Sequence, residues 1–374
     1  MRLSFFLLLA FLFVFVLYGC GDSGGGSEPL IPKWTVMVFM NDSSSTSREL
    51  GGIDLYEMRR VGSSNHVKVL VQRCSSSGRG MVRYFVGEGN LELLNTLPEA
   101  SPTSPSDLLS FVNWCIENYS AEKYMLVLWE RDHPDIWNGL VEWVKLLKVF
   151  SSFKSKVDLL VLDSSAKAEI ELLNEVKNSV SFVIALQGIM PDDGFDYEQV
   201  LQSIVRNPGQ GASEIGKAFI DNFKSLYSKR KEVAISMVSL AKLSNLLEGL
   251  DKLGNELINF RDVFALWGAI AQTQTYFIKA GESFCFRDLY DFCEKVKGLS
   301  LSDSVNSILE SLKKTLKEVV LSEWHLSDGI FPLSHGISLY VFSLEGRKDV
   351  YETFAIANDA KNWFNFLKTR LTGL

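Results

Sequence analysis

Apolar residues gather in short runs along this chain, and the runs differ in period. Thr35–Met40, Val67–Gln72, Tyr124–Trp129, Val157–Leu162 and Ser181–Leu186 are mostly continuous apolar stretches rather than alternating ones, which is the mark of strands covered on both faces. Between them, Arg48–Arg60, Ser106–Tyr119 and Ala166–Lys177 place apolar residues at helical spacing. The second carries a start signal: Ser104 as N-cap, Pro105 at the first helical position and Asp107 in the first turn. Strand and helix in alternation predict a mostly parallel α/β sheet with helices on its faces. Residues 83–86 predict a hairpin strand near an edge. Beyond Asn207–Gly211 the texture turns helical, with helices expected at Ala212–Tyr227, Ala241–Phe260, Val263–Lys279, Phe286–Lys297, Leu301–Leu321 and Ala357–Leu371. Glu232–Val238 and Gly336–Phe342 read as further strands. The pattern predicts an α/β domain over 33–207 and a helix-rich region over 208–374 that completes the fold.

The amino terminus has a different pattern. Met1-Arg2 followed by the nearly unbroken apolar run Leu3–Leu17 has the charged start and apolar middle of a secretory signal. The run is shorter than the roughly 20 apolar residues that span a bilayer. It ends in Leu17-Tyr18-Gly19-Cys20, which resembles the bacterial lipobox, so residues 1–20 are expected to be a lipoprotein signal with the lipid on Cys20. Residues 21–32, rich in Gly and Ser, have the composition of a flexible tether. The expected location is outside the cytoplasm, anchored to a bacterial membrane.

About 345 residues remain, and 47% hydrophobic content with 12% aromatic content is enough for a sizeable core. The formal net charge is −7, or −8 (−7 − 1) once Arg2 leaves with the signal. Lysines are dispersed, so there is no basic stripe to displace phosphate counterions, and nucleic acid is excluded as a partner. Besides Cys20, the cysteines are Cys74, Cys115, Cys285 and Cys293. Their spacings are not those of a disulfide framework and free thiols are favoured. There is no CxxC or HExxH, and His66, His133, His325 and His335 are scattered, so neither a zinc site nor any cofactor is indicated.

In an open parallel sheet, chemistry gathers at the carboxyl ends of the strands. The ends here are Leu128-Trp-Glu-Arg-Asp-His133, Leu162-Asp-Ser-Ser-Ala166 and Gln187-Gly-Ile-Met-Pro-Asp-Asp-Gly-Phe195. With Lys33–Met40, Asp54–Met58, Val61–Ser64, Phe111–Trp114, Asp288–Phe292 and His335–Tyr340 in collinear order, the chain resembles the clostripain family of cysteine peptidases. That resemblance implies a caspase-like three-layer α/β sandwich. It also implies a catalytic His in a Trp-Asp-His-Gly pattern and a catalytic Cys in an Asp-Ala-Cys pattern. In this chain the His position holds Arg131 and the Cys position holds Ser165.

Three readings follow. The site is dead, because a serine hydroxyl is barely ionised and needs a base within reach. Alternatively, His133, two residues displaced, serves Ser165 as a shifted base. Or another group acts, with Cys74 at a strand end as the candidate. The resemblance further implies an acidic pocket for a substrate Arg or Lys, and Asp163 and Asp193 fall at positions resembling its acids. A carboxylate pair there would clamp a guanidinium, although Asp192-Asp193-Gly194 also reads as a plain turn. The expectation is therefore a lipid-anchored, inactive relative that binds peptides or proteins with exposed Arg or Lys. The alternatives are an active endopeptidase cutting after Arg or Lys and a structural envelope scaffold.

Overall fold

The residues of the first strand feed two cores at once. Trp34, Val36, Val38 and Met40 point into one apolar cluster, and Met37 and Phe39 point into the other. This strand is covered on both faces, as its unbroken apolar run demands. In the computed structural model, residues 31–76, 79–131, 136–277, 286–299 and 301–371 are described. Cys20, His133 and Cys285 lie outside the described residues, as do the signal and almost all of the tether.

The strands in chain order are β1 (Trp34–Asn41), β2 (Val67–Cys74), β3 (Met81–Gly87), β4 (Asn90–Leu97), β5 (Lys123–Glu130), β6 (Val157–Asp163), β7 (Val180–Leu186), β8 (Ala234–Ser239), β9 (Thr275–Tyr276), β10 (Phe286–Asp288), β11 (Val320–His325) and β12 (Ser338–Tyr340). The helices are α1 (Ser45–Val61), α2 (Pro105–Asn118), α3 (Ile136–Leu147), α4 (Ile170–Val176), α5 (Tyr197–Arg206), α6 (Ala212–Leu226), α7 (Leu243–Ile258), α8 (Val263–Gln272), α9 (Leu289–Lys297), α10 (Asp303–Val319), α11 (Lys348–Tyr351), α12 (Ile356–Asp359) and α13 (Lys361–Arg370).

A nine-stranded sheet runs in the order β11-β8-β7-β6-β5-β1-β2-β3-β4. Its centre, from β2 to β7, is parallel, and the flanking strands are antiparallel. Helices α1, α5 and α6 cover one face, while α2, α3, α4 and the later helices cover the other. This is the α/β three-layer sandwich expected. Residues 31–374 form one compact unit. The carboxyl-terminal half adds β8 and β11 to the main sheet, and a second, three-stranded sheet β12-β10-β9 stands beside it.

Local signals account for much of this. The Ser104 hydroxyl accepts from the Asp107 N–H and Pro105 opens α2, as its sequence indicates. Helix α7 buries Leu243, Leu246, Leu247, Leu250, Leu253 and Leu257, a stripe at three- and four-residue spacing. Each fully buried leucine contributes roughly 1.5–3 kcal/mol.

Several boundaries differ from expectation. Of the helix expected at Ala166–Lys177, only Ile170–Val176 is α-helical, because the backbone N–H groups of Ala166, Lys167 and Ala168 are turned toward the carbonyls of Gly188 and Leu186. The helix expected at Leu301–Leu321 stops at Val319, since Val320–His325 pairs with β8. The one expected at Phe286–Lys297 starts at Leu289, its first residues being taken by β10. The one expected at Val263–Lys279 ends at Gln272, and β9 follows. Helices α3 and α5 and strand β4 were not foreseen.

Candidate functional site

The loops leaving β5, β6 and β7 meet at the carboxyl ends of the parallel strands. β5 and β6 pair so that Trp129 stands opposite Asp163. Arg131, two residues past Trp129, folds over that pair. Its Nη1 donates to Asp163 Oδ1 at 2.7 Å and to the Asp163 carbonyl at 2.8 Å, and its Nη2 donates to Oδ2 at 3.1 Å. Both side chains are buried, with Arg131 2% and Asp163 0% exposed.

The walls around this pair come from other elements. Asp54 of α1 stands 3.6 Å from Nη2. The Trp129 ring lies 4.7 Å from the guanidinium carbon, and its indole Nε1–H donates to Asp54 Oδ2 at 2.5 Å. Tyr197, at the start of α5, donates its hydroxyl to Asp163 Oδ2 at 2.6 Å. Gly194, at φ +64°, closes the cage with bare backbone, since a Cβ there would fall 2.0 Å from Arg131 Nη2. The Tyr227 hydroxyl holds that glycine's carbonyl at 2.6 Å.

Electrostatics keeps the cation in place. Burial disfavours the Arg131 charge, but Asp163 and then Asp54 outweigh it and the guanidinium is held protonated more firmly than usual. Burial pushes the Asp54 carboxyl well above its ordinary range, with Arg131 opposing and Asp163 adding to the rise. Burial and the Asp163 charge likewise raise the Tyr197 phenol, so it stays a donor.

Ser165 lies on the next loop and is fully buried. The Met190 N–H donates to its Oγ at 2.9 Å. The following residue, Ala166, has φ +49°, a left-handed conformation that costs a residue with a Cβ roughly 1–3 kcal/mol. Lys167 is buried; its ammonium donates to the Ser165 carbonyl at 2.9 Å and stands 5.4 Å from the Trp143 ring centre. Beyond it, Glu169 is buried with neither carboxylate oxygen hydrogen-bonded among the described residues. Burial pushes its carboxyl up to about 8, against the opposing pull of Lys167. Glu171 accepts the Tyr340 N–H at 3.0 Å and the Tyr351 hydroxyl at 2.9 Å, tying the loop's helix to β12 and α11. Burial raises its carboxyl to about 7.

Asp193 is placed differently from Asp163. It is exposed and lines a cleft of about 190 Å³ with Leu50, Ile53, Asp54, Glu57, Asp192, Asp196 and Leu226. The Gly194 N–H bonds the Pro191 carbonyl at 2.9 Å, so the segment is also a tight turn. Asp163 is closed off from solvent and Asp193 is open to it.

The shifted base His133 lies outside the described residues. Cys74 is buried, and its thiol is pushed up to about 11 by burial and then by Asp42, the reverse of what a nucleophilic thiolate needs. Cys115 and Cys293 are buried free thiols.

Sequence reasoning missed Lys167, Glu169 and Glu171, which it read as part of a helix, although three charges within five residues of an apolar stretch were the signal. It also missed that two of its motifs meet. The His335 N–H donates to Asp288 Oδ2 at 2.7 Å, and His335 Nδ1 lies 3.2 Å from Oδ1 with its ring stacked on Tyr290. Burial lowers the His335 pKa, but the Asp288 hydrogen bond and charge outweigh it and the net shift is upward.

Comparison with known proteins agrees with this architecture. The profile of the Clostripain family matches residues 140–354. Clostripain from Hathewaya histolytica is 22% identical over 349 residues, covering 75% of this chain and 66% of its own length, just under two thirds. The fold is similar to that of an inactive zymogen C11 protease from Parabacteroides distasonis, with TM-score 0.71, 15% identity, and coverage of 89% of this chain and 99% of that one. It is also similar to a secreted C11 cysteine protease from Bacteroides thetaiotaomicron in complex with an irreversible peptide inhibitor, with TM-score 0.65, 17% identity, and coverage of 88% and 99%. No helix among the described residues is long and apolar enough to cross a membrane.

Proposed function

Because this chain belongs to the clostripain family, we propose that it is a member that has kept the fold and lost cleavage, and that it binds peptides or proteins with exposed Arg or Lys side chains. The observation that carries this reading is the buried Arg131–Asp163 pair. Resemblance assigns Arg131 the position of the catalytic base, yet a guanidinium has no acceptor and does not give up its proton in proteins. Its Nη1 and Nη2 donors are directed at the Asp163 carboxylate rather than at a reacting group. Ser165, at the nucleophile position, is fully buried, and a serine hydroxyl is a weak nucleophile unless a base activates it.

Binding falls to the cleft beside Asp193. Carboxylates of Asp192, Asp193, Asp196 and Glu57 surround the apolar side chains of Leu50, Ile53 and Leu226. Such a surface suits the aliphatic stem and charged head of a Lys or Arg side chain. Membrane tethering through a lipid on Cys20 would hold this cleft at the envelope, where a partner protein or peptide is met.

The test is titration of the purified protein with a short peptide ending in Arg or Lys. Asp193→Ala should weaken binding at least several-fold, and unchanged affinity would remove the cleft from the account. Cys20→Ala should release the protein from the membrane fraction if the tether is as proposed.

A further inference from the structure

Four groups converge on the Arg131 guanidinium and a fifth braces one of them, and four of the five belong to other elements. Asp163 offers a bidentate carboxylate, Asp54 a second carboxyl group and Trp129 a ring face. Tyr197 fixes the plane of Asp163 through Oδ2, and Gly194 leaves the space that a side chain would fill. A planar fork matches this geometry and an ammonium does not. The cage therefore has the composition of a guanidinium receptor, and Arg131 is its filling rather than one of its walls. Asp54 is shared: it faces Nη2 inside the cage and also lines the acidic cleft that opens to solvent. An arginine side chain arriving in that cleft would meet this carboxylate next.

We propose that this cage is a guanidinium-binding site occupied in cis by Arg131, which bars an arginine side chain of any partner from Asp163. This deepens the binding reading above by stating how the site is regulated: outside arginines stop at the Asp193 cleft, and Asp163 becomes available only when Arg131 leaves. Arg131 is on the same chain as the cage and buried in it, so in-cis occupancy has an advantage of effective concentration over any free peptide.

The experiment is chemical rescue. Arg131→Ala is titrated with guanidinium and methylguanidinium in the low millimolar range, with methylammonium at matched ionic strength as control. Melting temperature and calorimetric heat are recorded. The expected result is a saturable rise in melting temperature and measurable heat for both guanidinium ions, absent with methylammonium, absent in the wild type, and lost when Asp163→Asn is added to Arg131→Ala. A folded Arg131→Ala protein that ignores guanidinium, or responds equally to methylammonium, overturns the proposal.

Should Arg131→Ala fail to fold, the wild-type protein decides. With ¹⁵N-labelled arginine, the Arg131 Nη protons should exchange slowly and stay unmoved when an Arg-ended peptide is added. Loss or shift of those signals means the cage trades its occupant and the in-cis claim is wrong. Peptide affinity lost in Asp193→Ala with Arg131 signals unchanged supports both readings. Peptide that fails to bind at all while rescue succeeds removes only the peptide-binding function.

Discussion

Substitution of Glu169 by Gln tests whether the loop behind Ser165 carries a buried proton. In the folded chain its carboxyl is pushed from 4.5 up to about 8, first by burial, with Lys167 opposing and Glu171 adding. Between those two pH values the folded state binds the proton and the unfolded chain does not, so stability falls as pH rises from about 4.5 to about 8 and levels off above. At about 1.36 kcal/mol per unit, the 3.5-unit gap (8 − 4.5) amounts to roughly 5 kcal/mol lost across that window. Gln mimics the neutral acid at every pH and removes that slope. Its amide costs about 1–3 kcal/mol where a donor goes unsatisfied, but that cost is the same at every pH. The quantity to follow is therefore the stability difference between variant and wild type, from urea melts at a series of pH values. Raised carboxyls that do not act on Glu169, Asp54, Glu57 and Glu175 among them, cancel in that difference. The variant should gain several kcal/mol relative to wild type between about pH 5 and about pH 9. A difference that stays constant within about 0.5 kcal/mol refutes the reasoning, because Glu169 would then be ionised in its buried site from the start.

Other consequences follow from the same geometry. Arg131→Met leaves Asp163 buried beside Asp54 with no cation, and urea melts should register a loss of about 3–5 kcal/mol; adding Asp163→Leu should recover much of it, since a well-packed apolar pair can replace a buried ion pair. Gly194→Ala meets both a φ of +64° and the Arg131 guanidinium, so it should cost about 1–3 kcal/mol or displace Arg131 from its cage. Asp288→Asn should lower the His335 pKa, followed by NMR titration of the ring protons. The raised folded pKa means that the His335–Asp288 contribution to stability is complete below the unfolded value of about 6.5 and is lost as pH rises through the folded one. The variant should therefore lose more at acid pH than at alkaline pH.

Much of the sheet was legible because its central strands are apolar on both sides, a pattern that needs no partner to be recognised. β1 shows why: its odd and even residues feed different cores, and both kinds are apolar. The helix over Ala166–Lys177 misled because its spacing is helical, while three of its N–H groups bond to the β7 end and the loop beyond it, a tertiary preference that overrides local periodicity. β11 was hidden behind α10 for a similar reason: the helical reading runs on to Leu321, two residues into the strand Val320–His325 that pairs with β8. At the site, Arg131, Ser165, Asp163 and Asp193 were found by resemblance. That Arg131 and Asp163 would pair was not, because it depends on the register that sets Trp129 opposite Asp163. Residue types alone gave the charges and left their partners open. Burial then separates two acids that the sequence had grouped: Asp163 sits with a cation inside, and Asp193 stands at an open cleft.

The most direct test of loss of cleavage in this family member is hydrolysis itself. Purified protein is incubated with fluorogenic peptides carrying Arg or Lys before the scissile bond, alongside Ser165→Ala and His133→Ala. The account predicts no turnover above buffer for any of the three. Turnover by the wild type that disappears in Ser165→Ala contradicts it, and turnover that also depends on His133 identifies the base.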